Sequence, residues 1–175
     1  MVNYRRNRLK GGTYFFTVNL RQRKTKWLTI HIELLREAFR KTIEKYPFYI
    51  DAIVILPDHI HTIWTLPEGD DNYPQRWRSI KSQFTRSLKT KERKLSKNKR
   101  GEYAVWQHRY WEHTIKNNND LQRHIDYIHY NPVKHKHVAN VSDWQYSSFH
   151  QYVAKGKLPA NWGSEYQETE GQHGE

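Results

Sequence analysis

The spacing of apolar residues divides the chain into short strands and amphipathic helices. In four segments apolar residues alternate with polar ones, or β-branched and aromatic residues cluster, and this pattern is typical of strands. In three others apolar residues recur at spacings of three and four, which predicts helices with one buried side. In chain order, the prediction is a strand over 12–23, a helix over 31–46, strands over 49–56 and 59–66, a helix from Pro74, a strand over 103–115 and a helix over 117–132.

This order predicts an α+β domain, with a mostly antiparallel sheet and helices packed on one face. A Pro-Asp turn joins the second and third strands into a tight hairpin. In the last helix Asp120 or a preceding Asn provides the N-cap, and Pro132 closes the helix. We expect one domain over 1–152, followed by a C-terminal tail over 153–175 that is partly disordered.

The third predicted strand, "HIHTIWTL", begins with two histidines in an otherwise apolar run. Because strand side chains alternate between faces, His59 and His61 point the same way, with Cα atoms roughly 7 Å apart. Two imidazoles on one face can converge on one metal ion. A His-x-His pair is weak evidence alone, since a buried histidine often has only a structural role.

A second polar group lies on the last predicted helix. At about 100° per residue, His124, Tyr127 and Asn131 share a stripe beside the apolar one. Tyr127 and Asn131 are four residues apart and therefore lie one above the other. Each also has a structural interpretation, because a tyrosine at a helix edge usually packs and an asparagine before proline usually ends the helix.

Together, the two groups suggest metal-dependent chemistry on a phosphodiester. His59 and His61 can supply neutral nitrogen ligands and Asn131 an oxygen, while water and a phosphate complete a divalent site. Such an ion polarises the phosphodiester. Tyr127 would be the nucleophile, and since a free phenol has a pKa of about 10, it needs a metal or a base to activate it.

Charge and aromatic content point to a nucleic-acid partner. The 175 residues include 30 Lys and Arg against 18 Asp and Glu, a net charge of +12, with 7 Trp and 12 Tyr. Cations meet phosphates and flat rings stack on exposed bases, which suits single strands. The candidate DNA contacts are Arg5, Arg6, Arg8, Lys10, Arg76, Arg78 and Lys81. The basic segment "KTKERKLSKNKR" is either a solvated loop or an arm that contacts phosphates.

Other classes are excluded or disfavoured by composition. The chain has no cysteine, so disulfides, Cys-type zinc sites and thiol nucleophiles are excluded. No apolar run approaches the roughly 18 residues of a membrane span, and the N-terminus lacks the apolar core of a secretory signal. We therefore expect a cytoplasmic protein without a membrane partner.

Several segments, in order along most of the chain, resemble the REP-associated tyrosine transposases. This family is a branch of the HUH single-strand nucleases, related to the small insertion-sequence tyrosine transposases. The segments are "PDHIHTIW", "RWRSIKSQFTRSL", "VWQHRYWEHTI", "HIDYIHYNPVKH" and "DWQYSSFH".

The resemblance implies a ferredoxin-like fold of the HUH nuclease type, whose sheet carries a His pair, with a divalent Mg or Mn ion and a catalytic Tyr on a separate helix. His59 and His61 match the paired histidines. Tyr127 and Asn131 match the Tyr-x-x-x-Asn element, whose Asn is expected as third metal ligand. Tyr130 is a rival phenol, but it lacks the four-residue relation to Asn131.

The resemblance also implies cleavage and rejoining of single-stranded DNA at repetitive extragenic palindrome (REP) hairpins, through a 5′-phosphotyrosine and a free 3′-hydroxyl. Two other classes stay open at this point. One is a hairpin-binding protein without chemistry, and the other is a His-ligated hydrolase that activates water. The sequence does not decide between a monomer and a homodimer.

Overall fold

The structure, a computed structural model, describes residues 7–92 and 95–165. Four strands and three long helices carry the fold of this part of the chain. None of its helices is both long and apolar enough to cross a membrane. The elements are β1 (Thr13–Asn19), α1 (Trp27–Ile30), α2 (Ile32–Lys45), β2 (Tyr49–Ile55), β3 (His59–Thr65), α3 (Tyr73–Lys91), β4 (Trp111–Thr114), α4 (Asn118–Lys134) and α5 (Phe149–Ala154), with a 3-10 turn at Val141–Asp143.

The strands form one antiparallel sheet in the order β2-β3-β1-β4. β1 lies in the centre and pairs with β3 along its whole length, from Thr13 opposite Thr65 to Asn19 opposite His59. This is the strand order of a ferredoxin-like βαββαβ unit. The predicted α+β class and antiparallel sheet are confirmed.

Helices α2 and α3 cover one face of the sheet and enclose the larger core. Alternate residues of β1 point into it, including Tyr14 and Phe16, and Trp64 of β3 joins them. The ring of Trp64 stacks on Trp77 of α3, with 4.3 Å between centroids. Large aromatic rings therefore fill the space between the sheet and these two helices.

The opposite face is covered by α4, which corrects the expectation that the helices pack on one face only. Phe15 of β1 and Ile63 of β3 are fully buried there against Ile125 and Ile128 of α4. The reason is that β1 and β3 carry large apolar side chains on both sides, so both faces must be shielded from water. The run "YFFTV" in β1 carried this signal.

The strand predicted over 103–115 belongs to the sheet only at Trp111–Thr114. Thr17 pairs with Trp111, but the next contact is an isolated bridge between Leu20 and Trp106. β1 advances 20 − 17 = 3 residues between these contacts, whereas the partner segment advances 111 − 106 = 5. The two extra residues interrupt the ladder, so the first half of the predicted strand is not part of β4.

Pro132 does not close α4, which continues to Lys134. Proline removes one backbone N–H, so the last turn loses one hydrogen bond, but the helix does not end there. His135 N still donates to Asn131 O at 3.0 Å and completes the last turn. At the other end, Asn117 is the N-cap and its Oδ1 accepts from Asp120 N at 2.9 Å, which confirms the predicted Asn cap.

Candidate active site

His59 and His61 lie side by side at the start of β3. Their exposed fractions are 1% and 0%. The ring centroids are 4.9 Å apart, and the ring planes are nearly perpendicular at 85°. The alternation of the strand thus brings both imidazoles to one place, on the face that α4 covers.

A chain of hydrogen bonds fixes the ring of His59. Its Nδ1 donates to Asp58 Oδ1 at 2.7 Å. Asp58 Oδ2 accepts from Arg23 Nε, and Arg23 Nη1 donates to Asn19 Oδ1 at 2.7 Å. The other ring nitrogen of His59, Nε2, is buried without a hydrogen-bond partner among residues 7–92 and 95–165. A carboxylate on one nitrogen and an unsatisfied second nitrogen are typical of a histidine that ligates a metal.

The protonation states of this pair suit a metal. Burial lowers the pKa of His59 below its ordinary value, despite the neighbouring carboxylate. Burial alone would raise the pKa of Asp58, but hydrogen bonds from His59 and Arg23 hold it at about 2. At neutral pH the pair is therefore a carboxylate beside a neutral imidazole, and the neutral ring is the form that binds metals.

His61 is held by β1. Its Nδ1 lies 2.8 Å from Oγ1 of Thr17, the residue directly across the ladder. The ring of Phe15 lies nearly parallel to it, with 5.7 Å between centroids. An imidazole that ligates through Nε2 carries its proton on Nδ1, and Thr17 Oγ1 is placed to accept it.

Tyr127 of α4 meets His61 above the sheet. It is 3% exposed, and its ring stands edge-on to the imidazole, with 5.2 Å between centroids. Asn131 follows one helical turn later on the same side of α4 and is fully buried. His124 shares this stripe, but it packs against His113 of β4 at 4.8 Å between centroids. The predicted stripe therefore divides between two neighbourhoods.

The sequence reasoning missed three residues beside the site. Lys134 Nζ lies 4.7 Å from the ring centroid of Tyr127, and the ring of His135 lies 5.1 Å from that of His59. Lys134 is seven residues after Tyr127, so helical periodicity could have identified it. Asp58 was interpreted only as a turn residue, although its position next to His59 was a usable signal.

Most of the expected DNA contacts that the structure describes reach the surface. Lys81 is half-buried, donates to Gln107 O at 3.2 Å and lies 5.0 Å from the ring centroid of Tyr110. Arg8, Lys10 and Arg78 are exposed, while Arg5 and Arg6 lie outside the described residues. The described cations of the basic segment are also exposed, although its first residues belong to α3: Lys89, Lys91, Lys97, Lys99 and Arg100.

Arg76 requires a correction. It is only 3% exposed, and its Nη2 donates to Pro47 O at 2.6 Å and to Asp70 Oδ2 at 2.8 Å. Its charge is balanced inside the protein, so it does not present a cation to DNA. The sequence placed it on the polar side of α3, whereas Arg76 precedes the buried Trp77 and lies on the core side.

The comparisons with known proteins fit this arrangement. The family profile described as "Transposase IS200 like" matches residues 4–131, which include both histidines, Tyr127 and Asn131. This chain belongs to the IS200-like transposase family. The resemblance expected from the sequence is thereby confirmed.

Within this family, the chain is similar to REP-associated tyrosine transposases. The chain is 48% identical over 165 residues to the REP-associated tyrosine transposase of Escherichia coli (strain K12), with 94% of this chain and 93% of the relative covered. A Haemophilus influenzae relative is 50% identical over 165 residues, covering 93% of this chain and 94% of its own. A solved REP-associated tyrosine transposase bound to a REP hairpin superimposes with a TM-score of 0.88 at 47% identity, covering 100% of this chain and 98% of that one.

These relatives are named as transposases, so the chain is a member of an enzyme family. The family implies a divalent metal. The residues present fit such an ion. His59 Nε2 is buried and has no hydrogen-bond partner among residues 7–92 and 95–165, so it can act as a metal ligand, and the ring of His61 lies beside it.

Proposed function

We propose that this transposase cleaves and rejoins single-stranded DNA at REP hairpins, with Tyr127 as nucleophile and with Mg or Mn held by His59, His61 and Asn131. One observation carries the proposal. The phenol ring of Tyr127 stands against His61, whose neighbour His59 offers a buried, unsatisfied nitrogen. The proposed nucleophile and the proposed cation site therefore lie next to each other, buried between β3 and α4.

The proposed ligands are two imidazole nitrogens and one amide oxygen, and solvent and a DNA phosphate would complete the shell. When bound, a divalent cation would polarise the scissile phosphodiester and offset the charge that builds on its oxygens. Asp58 and Thr17 keep the two rings oriented toward it.

In the proposed reaction, Tyr127 attacks the phosphorus and displaces the 3′ oxygen. The phenol gives up its proton to solvent, and its oxygen forms a bond to the phosphorus as the bond to the 3′ oxygen breaks. The 3′ oxygen takes a proton from solvent and leaves as a hydroxyl. The Tyr127 ester retains the 5′ phosphate, and attack by a 3′-hydroxyl reverses the step and rejoins DNA. Lys134, 4.7 Å from the Tyr127 ring, favours the negative charge of the phenolate.

The proposed substrate follows from the relative that is bound to a REP hairpin and from the charge of this chain, +12. Exposed Arg8, Lys10 and Arg78 are proposed to contact the DNA backbone, as are Arg5 and Arg6. Such a substrate is chromosomal, which supports the cytoplasmic location expected from the sequence. The hairpin is the proposed partner, and a monomer or a homodimer is compatible with it.

A hairpin-binding protein without chemistry is the second candidate. It would have no use for a buried polar cluster, because burying imidazoles and an amide opposes folding unless their hydrogen bonds are satisfied. The positions of His59, His61 and Asn131 therefore favour the enzyme.

The test uses purified protein and a REP hairpin with its single-stranded flank, with Mn, Mg or chelator, resolved on a denaturing gel. We expect a metal-dependent covalent protein–DNA band that disappears in Tyr127→Phe. Tyr130→Phe is the matched control, because Tyr130 lies one turn away on the same helix, and it should keep the band.

The other outcomes contradict specific parts of the proposal. Loss of the band in Tyr130→Phe alone would move the nucleophile to Tyr130. Cleavage without a covalent band would indicate a hydrolase that activates water. Tight hairpin binding without any cleavage would favour the binding protein.

A further inference from the structure

A second cluster of potential metal ligands lies where the start of α4 meets β4. His113 comes from β4, and Asp120 and His124 come from the first two turns of α4. Each offers one ligand atom, and these atoms lie within 4.8 Å of one another. His113 Nε2 is 2.8 Å from Asp120 Oδ2, and His124 Nδ1 is 3.3 Å from Asp120 Oδ1.

This cluster is separate from the proposed catalytic site. The ring of Phe15 stands between them, with its centroid 4.7 Å from that of His124 and 5.7 Å from that of His61. An ion held by the cluster would therefore have its own ligands and would not share His59 or His61.

We propose that His113, Asp120 and His124 form a second cation site, selective for a transition metal of the zinc type, which fastens the first turns of α4 to β4. Two imidazoles and one carboxylate are a common ligand set for Zn²⁺, at bond lengths of about 2.0–2.2 Å. Around a tetrahedral ion, those bonds place ligand atoms roughly 3.3 Å from one another. His113 Nε2 and Asp120 Oδ2 are 2.8 Å apart, close to this value, and the three ligand atoms lie within 4.8 Å of one another.

Binding requires small rearrangements. His113 must move the proton on Nε2 to Nδ1, so that Nε2 can ligate. His124 must likewise give up the hydrogen bond that its Nδ1 makes to Asp120 O at 2.8 Å and carry its proton on Nε2. Asp120 Oδ2 keeps the hydrogen bond from Lys116 N at 2.9 Å, which holds the carboxylate in place. Arg123, 3.6 Å from Asp120 Oδ1, is 64% exposed and can turn into solvent. The side chain of His113 is 27% exposed, so water can reach the fourth position.

From its position, an ion in this cluster would restrain helix α4. His124 precedes Tyr127 by three residues on α4, so an ion that joins this turn to β4 restrains the helix that presents the nucleophile. We expect the metal to stabilise the fold and to leave the chemistry at Tyr127 to the other site. The site stands independently of the proposed function, because no DNA is needed to detect it.

The experiment titrates Co²⁺, a spectroscopic substitute for Zn²⁺, into the double variant His59→Ala/His61→Ala without DNA. We expect one equivalent to bind with the visible absorption of a four-coordinate ion. Adding His113→Gln should weaken binding by about 10- to 100-fold or more. Adding His150→Gln, an exposed histidine on α5, is the matched control and should change nothing.

If the double variant folds poorly, the same titration can be made with His59 and His61 intact. In the otherwise unaltered chain, Co²⁺ should bind at two sites, and His113→Gln should leave one. Binding that survives His113→Gln, or that is lost equally in His150→Gln, would overturn the proposal. Absence of binding in a folded double variant would also overturn it.

Discussion

The two faces of the sheet are built from the same strands but differ in how many polar groups they bury. On the face covered by α2 and α3, β1 presents Tyr14 and Phe16, and β3 presents Trp64. On the face covered by α4, the same two strands present Thr17 and His61 beside one another. One face is an aromatic core, whereas the other combines a smaller apolar cluster with a buried polar layer.

The difference shows where the molecule obtains stability and where it gives some up. Burying aromatic rings is strongly favourable, while burying imidazoles and amides is at best neutral. The α2 and α3 face must therefore offset the cost of burying the polar layer. Substitutions on the first face should change unfolding free energies, and those on the second should mainly change binding and rates.

The largest effect is expected from Trp64→Ala in the aromatic core. Removing a ring packed against Trp77 should lower the free energy of unfolding by about 3–5 kcal/mol, as measured by urea denaturation. Trp64→Phe should cost clearly less, because Trp64 Nε1 has no hydrogen-bond partner among residues 7–92 and 95–165. Equal losses in both variants would contradict this expectation, because they would show that a smaller ring recovers none of the packing.

The next effect concerns pH and His129, a fully buried residue of α4 whose Nε2 lies 2.9 Å from Ser148 Oγ. Burial, helped by the charge of His150, lowers the pKa of His129 to about 4. Below the ordinary pKa of 6.5 the unfolded chain takes up a proton that the folded chain refuses. Stability should therefore fall as the pH drops from 6.5 toward 4, by about 3 kcal/mol in all.

Urea denaturation at several pH values between 7 and 4.5 measures this slope. His129→Gln cannot titrate and should flatten part of it. Burial also lowers the pKa of His59 and His124, so some slope should remain. An unchanged slope in His129→Gln would exclude His129 as a source of acid sensitivity.

A smaller effect is expected from Asp58→Asn in the polar layer. Loss of the carboxylate that orients His59 should weaken Mn²⁺ binding by about 10- to 100-fold in calorimetric titration. Asp143→Asn replaces an exposed carboxylate and should leave Mn²⁺ affinity unchanged. Unaltered affinity in Asp58→Asn would show that the hydrogen bond does not tune this ligand.

The smallest effect is expected from Lys134→Met. The cation beside the Tyr127 ring should contribute about 0.5–1 kcal/mol, so single-turnover formation of the covalent adduct should slow by about two- to fivefold. Lys136→Met removes an exposed cation two residues away and is the control. The same slowing in both variants would indicate general attraction of DNA rather than an action on Tyr127.

Local patterns were sufficient for the elements that bury one regular stripe. The helix expected over 31–46 is α2 at Ile32–Lys45, and the strand expected over 59–66 is β3 at His59–Thr65. The alternation in β3 also placed His59 and His61 on a common face. These features depend on residues close in the chain, where periodicity is informative.

Features that depend on distant partners were not predictable in the same way. The end of β4 is decided by its pairing with β1, and the burial of Arg76 depends on Asp70 and the Pro47 carbonyl. The hydrogen bonds that link Arg23, Asp58 and His59 join segments far apart in the chain, and hydrophobic periodicity says nothing about such contacts. The pairing of Tyr127 with the histidines came from the family resemblance and the chemistry together.

The central position of β1 has a consequence for how this protein can change over generations. Its odd and even residues point to different faces of the sheet. The alignment of β1 with its neighbouring strands must therefore be kept, because a shift by one residue moves every side chain to the other face. Inserting or deleting a single residue between Tyr14 and Val18 would exchange the two sets, sending aromatic rings toward α4 and polar groups toward α2 and α3. Lineages can therefore vary β1 by substitution, but length changes there would disturb folding and catalysis at once.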